Sequence, residues 1–119
     1  MPGSSLDFYL WRHRYVDETD QIRCRTCFGI TGNRENRLNA YEGHVGHPVQ
    51  FERIWTGPER LIRDLEDRVK RDFHDYLFVG HRHFRYEWIT EEVAFDQIVQ
   101  YLEWEIAKMD GIVPLVSAH

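Results

Sequence analysis

The feature that most constrains this chain is a pair of β-prone runs on either side of a polar tetrapeptide near the N-terminus. Phe8-Tyr9-Leu10-Trp11 opens an aromatic-rich strand that extends to about Val16. Asp17-Glu18-Thr19-Asp20 supplies the residues of a turn. Ile22 to Ile30 reads as the second strand of the hairpin. Side chains alternate along a strand, so Ile22, Cys24, Thr26 and Phe28 share one face and Arg23, Arg25 and Cys27 the other.

Downstream the period changes. Gly29-Ile30-Thr31-Gly32-Asn33 breaks the strand, and Gly29 suits a strand-to-helix turn. Asn33 is placed to cap a short helix over Arg34 to Glu42. Gly43, Gly46 and Pro48 bound a loop, and Val49 to Trp55 reads as a third strand with Val49, Phe51 and Ile54 inward. Thr56-Gly57-Pro58-Glu59 starts a helix, with proline at its first position and glutamate in its first turn. Leu61, Ile62, Leu65, Val69 and Phe73 recur at helical spacing along it. Leu77-Phe78-Val79 is short and apolar, Gly80 turns the chain, and Phe84 to Ile89 is a further extended piece. Thr90-Glu91-Glu92 caps a last helix over about 90–109, with Ala94, Phe95, Ile98, Tyr101, Leu102 and Ile106 as its apolar stripe. The order predicts an α+β fold: a small, mostly antiparallel three-stranded sheet flanked by helices, with a C-terminal helix.

A length of 119 residues, 42% of them hydrophobic and 29% charged, leads us to expect one globular domain over 1–119. No apolar run approaches the ~18 residues of a membrane span. Met1 to Asp7 has neither the basic nor the apolar region of a signal peptide. Two cysteines make no disulfide framework, so a cytoplasmic location is expected. Cys24-x-x-Cys27 has no second cysteine pair and alternates across the strand, so it is not expected to hold zinc. The net charge of −5 is unevenly spread: residues 1–88 are balanced, and the excess acid lies in 89–119. Arginine outnumbers lysine 13 to 2, and its planar fork suits phosphate, so the first two-thirds of the chain is the part expected to face a polyanion.

The stretch Cys27-Phe28-Gly29 to Arg37 and Tyr41 resembles the second half of the GIY-YIG nuclease module. In that half a strand ending in Tyr-Ile-Gly leads to a helix with an arginine eight residues after the glycine. Gly29 and Arg37 have this spacing, and Tyr41 stands one helical turn further on, where the family has His or Tyr. Asp7-Phe8-Tyr9 matches the opening Gly-Ile-Tyr through its tyrosine. Glu66, in Leu65-Glu66-Asp67, stands where the family has a metal-binding glutamate, with Glu59 and Asp67 as alternatives in a shifted register. Tyr86-Glu87-Trp88-Ile89 before a helix resembles a Glu-Trp-Phe signature of a phage-type branch. The resemblance covers about residues 7–102. Cys27 departs from it by replacing the second tyrosine, and Asp7 by replacing the first glycine.

The resemblance implies a metal-dependent DNA endonuclease. Glu66 would hold one Mg²⁺ or Mn²⁺, since a hard cation takes carboxylate oxygen. Arg37 would clamp the scissile phosphate, Tyr9 would take the proton of the attacking water, and Tyr41 would orient the phosphate or assist that transfer. The candidate DNA contacts are Arg23, Arg25, Arg34 and His44. His81-Arg82-His83 reads as a loop of solvated side chains. The acidic last helix is expected to face away from DNA and is the candidate surface for a homodimer or protein partner. The alternative is a member that kept the fold and lost the chemistry, serving as a nucleic-acid-binding or protein-interaction module.

Overall fold

The computed structural model describes residues 4–77 and 87–115. The hairpin is the centre of the molecule. β1 (Ser5–Val16) and β2 (Ile22–Thr31) pair antiparallel from Asp7↔Thr31 to Val16↔Ile22. Asp17 closes the turn: its carboxylate accepts from the Thr19 and Gln21 amides, the Thr19 hydroxyl and the Arg23 guanidinium.

The fold is α+β, but among the described residues the sheet has five strands where three were expected, in the order β4-β2-β1-β3-β5 and antiparallel throughout. The added edges are β4 (Glu87–Ile89), beside β2, and β5 (Val113–Pro114), beside β3. β4 falls at the end of the extended piece expected over 84–89, of which 87–89 are described; β5, only two residues long, shows no period in the sequence. The third strand is β3 (Arg53–Pro58), later than the expected Val49–Trp55. Residues 49–52 are held by other partners: the Val49 amide donates to the Glu42 carboxylate and the Glu52 amide to the Leu10 carbonyl.

Three helices cover the sheet. α1 (Arg34–Val45) is capped by Asn33, whose side chain accepts from the Asn36 amide, and ends at Gly46 in the left-handed region at φ 76°. It runs past the expected Glu42. α2 (Glu59–Asp72) follows β3 directly, with Pro58 as the residue before its first turn. α3 (Phe95–Ala107) begins later than the expected Thr90. Residues 90 and 91 are tied elsewhere: the Thr90 amide donates to the Tyr76 carbonyl, and Glu91 pairs with Arg23.

Helices lie on both faces, which explains why Phe8, Tyr9, Leu10 and Trp11 are all buried in succession. Phe8, Leu10, Phe28 and Trp55 pack against Ile62, Leu65 and Val69 of α2 and Ile98 and Leu102 of α3. On the opposite face Tyr9, Trp11, Cys27 and Trp88 pack against Tyr41 of α1 and Val49. Each fully buried aliphatic side chain contributes roughly 1.5–3 kcal/mol. Among the described residues no helix is long and apolar enough to cross a membrane.

Candidate functional site

The α1 face gathers most of the predicted site. Tyr9 comes from β1, Cys27 from β2 and Tyr41 from the second half of α1, and all three are fully buried. The two tyrosine hydroxyls are 2.7 Å apart, and the Cys27 thiol donates to the Tyr41 oxygen at 3.2 Å. The Tyr9 and Tyr41 rings meet edge to face, with centroids 5.9 Å apart. Phe51 stacks on Tyr9 at 4.3 Å and 8°. It also lines a cleft of about 620 Å³ beside the start of α1, together with Leu38, Val49 and Ile54. Phe51 is therefore what lies between Tyr9 and that cleft.

Gly29 has a different reason from the expected one. It is inside β2, directly opposite Tyr9, and is not at a turn. A Cβ there would come 2.3 Å from the Tyr9 hydroxyl oxygen. The tyrosine ring lies across its cross-strand neighbour, and only glycine leaves room for it.

The electrostatics separate the roles. Burial is the main reason that the Cys27 thiol is pushed up to about 12; its bond to Tyr41 and the charges of Arg25 and Arg37 oppose this. Arg37 is half-buried and stands one turn before Tyr41 on α1. Burial, followed by Cys27 and Tyr9, holds the Tyr41 hydroxyl far above a tyrosine's ordinary value. Tyr41 keeps its proton at neutral pH and is a donor rather than a base.

Glu66 is carried by α2, the helix on the other face. Its side chain is 19% exposed and its Oε1 is 3.5 Å from Lys70 Nζ. Of the alternatives, Asp67 is exposed and Glu59 is paired with Arg63 at 2.9 Å. Among the described residues no three His, Cys, Asp or Glu side chains converge on one point.

The candidate DNA contacts divide. Arg23 is bound by Asp17 and Glu91, and Arg34 by Asp7 at 2.9 Å, so both already face carboxylates. His44 is exposed on the last turn of α1. Arg25 is only 8% exposed, with its guanidinium 3.9 Å from the Trp88 ring centroid and 4.7 Å from that of Tyr15. Beside it stand His13 and His47, which the sequence reading did not single out for a role. The cross-strand pairing of His13 with Arg25 was the available signal. His81-Arg82-His83 and Tyr86 lie outside the described residues. Of the acids in 89–119, Glu105 is buried and bonded to Arg68 at 2.8 Å, and Glu91, Glu92, Asp96, Glu103 and Asp110 are exposed. α3 itself lies on the face away from α1.

Comparison with protein-family models, with curated proteins and with solved structures yields no match to this chain.

Proposed function

We propose that this chain is a small metal-dependent DNA endonuclease of the GIY-YIG type, resembling the phage branch of that family. One observation carries the reading. Tyr9 of β1, Cys27 of β2 and Tyr41 of α1, at positions matched to the motif, meet in a single cluster, and Arg37 stands one helical turn before Tyr41. Nothing in hairpin or helix periodicity alone requires that meeting.

In this reading Arg37 holds the scissile phosphate by charge-assisted hydrogen bonds. Tyr9, having first released its own proton to solvent, accepts the proton of the attacking water as a phenolate, and Tyr41 donates a hydrogen bond that orients the Tyr9 oxygen and stabilises its charge. Phe51 has to move from the Tyr9 ring for water to arrive. A magnesium or manganese ion would supply positive charge to the phosphate and leaving oxygen; Glu66, the carboxylate the resemblance assigns to it, stands on α2, across the sheet from Tyr9 and Tyr41. DNA lies on the α1 face, with the excess acid of 89–119 directed elsewhere. α3, where Trp104 is 68% exposed, is the surface this reading assigns to a second copy or a protein partner.

Incubation of supercoiled plasmid and branched DNA with the protein and Mg²⁺ or Mn²⁺ tests this. Cleavage that Glu66→Ala abolishes supports the reading. The second reading, a binding module without chemistry, is favoured by the complete burial of both tyrosine hydroxyls. It predicts salt-dependent DNA affinity that survives Glu66→Ala, and no cleavage with either ion.

A further inference from the structure

The α1 face carries a second group that the proposed chemistry does not use. Along the far half of the hairpin, the rings of Tyr15, His13 and His47 form a ladder. His13 and Tyr15 are 5.6 Å apart at 22°, and His13 and His47 are 5.8 Å apart at 26°. The His47 end is exposed. Arg25 underlies the ladder: its Nε donates to His13 Nδ1 at 3.2 Å, and its guanidinium lies over Trp88 and Tyr15. That bond fixes the tautomer, because Nδ1 accepts and Nε2 must then carry the hydrogen. Burial, with the charges of Arg25, His47 and His44, lowers the His13 pKa to about 4, so the middle ring is neutral at neutral pH. The result is a rigid aromatic stack with a buried cation and an open end.

We propose that this ladder is a stacking platform for an unpaired base of a DNA strand whose backbone passes His44 toward Arg37. Every base has a π-face that extends such a stack, and a cation beneath the rings strengthens it. A base inside a duplex is already stacked on both sides and cannot reach His47. The platform therefore selects DNA with a single-stranded segment. This inference rests on the DNA reading above for its choice of ligand, but not on catalysis.

The test is binding without divalent metal, by fluorescence anisotropy, of a short single-stranded DNA and the blunt duplex of the same sequence. The parent is expected to prefer the single strand. His47→Ala should weaken single-strand binding about 5-fold or more and leave duplex binding unchanged. His47→Phe, which keeps a ring, should retain the preference; His47→Lys, which removes the ring and adds a cation, should lose it. Equal losses on both DNAs, rescue by lysine as good as by phenylalanine, or no preference in the parent would each overturn the platform. Plasmid cleavage is scored separately, so a protein that binds single strands through His47 but never cuts refutes the nuclease reading alone.

Discussion

Substituting Gly29 with alanine should unsettle the tyrosine cluster more than any surface change. The new Cβ would lie 2.3 Å from Tyr9 Oη and 2.7 Å from its Cζ. Neither ring nor backbone can yield easily. Tyr9 is stacked on Phe51 at 4.3 Å, bonded to Tyr41 at 2.7 Å, and in register with Gly29 itself. Overpacking of this kind costs roughly 1–3 kcal/mol, and breaking the tyrosine–tyrosine hydrogen bond adds about 1 kcal/mol. For a domain of this size the total corresponds to a fall in Tm of roughly 5–15 °C. Urea titration and calorimetry of Gly29→Ala, Tyr9→Leu and the double variant give the coupling. In the Tyr9→Leu background the obstructing atoms are gone, so Gly29→Ala should cost less than about 0.5 kcal/mol, the size of an ordinary neutral change. A Gly29→Ala protein as stable as the parent, or an equal loss in both backgrounds, would refute the steric reasoning.

Four further outcomes are expected. Cys27 is buried with its thiol held up to about 12, so in the native protein only Cys24 should react with a thiol reagent at mildly alkaline pH, and both cysteines only after denaturation. The same shift makes stability fall as pH rises: above 9.0 the unfolded thiol releases its proton while the folded one holds it until about 12, and raised Tyr41 acts in the same direction. Urea midpoints that rise above pH 9 would contradict this. His13 is shifted the other way, so between pH 6.5 and about 4 its unfolded form binds the proton and stability declines with acidification, by an amount reduced by its partial exposure. Imidazole nitrogen NMR at pH 6 should find His13 neutral with its hydrogen on Nε2; a charged ring, or a hydrogen on Nδ1, would refute the Arg25 bond.

The parts legible in the sequence are those with a local period or a short spacing. The hairpin, its turn at Asp17, the Asn33 cap and the α2 stripe through Ile62, Leu65 and Val69 each depend on residues within one or two turns of each other. Arg37 and Tyr41 were likewise readable as a one-turn pair. What failed depended on distant partners. Val49 and Phe51 look like a strand, yet Glu42 and Leu10 hold 49–52 away from a regular ladder. Thr90-Glu91-Glu92 looks like a helix start, yet Tyr76 and Arg23 claim it. Gly29 looked like a turn residue because its true neighbour, Tyr9, is twenty positions away. The ring ladder escaped notice because it joins β1, β2 and the loop after α1, and only the strand register brings His13 beside Arg25.

The central claim is that the Tyr9–Tyr41–Arg37 cluster cleaves phosphodiesters, and single-turnover cleavage of supercoiled plasmid by Arg37→Ala tests it most directly. Arg37 is half-buried on α1 and is not one of the core side chains, so the variant should keep the parent's circular dichroism and melting transition. The account predicts a cleavage rate lower by about 10²–10³, by analogy with loss of one charge-stabilising donor. A folded parent that leaves the plasmid intact with Mg²⁺ and with Mn²⁺, or an Arg37→Ala protein that cuts at the parent's rate, would contradict it.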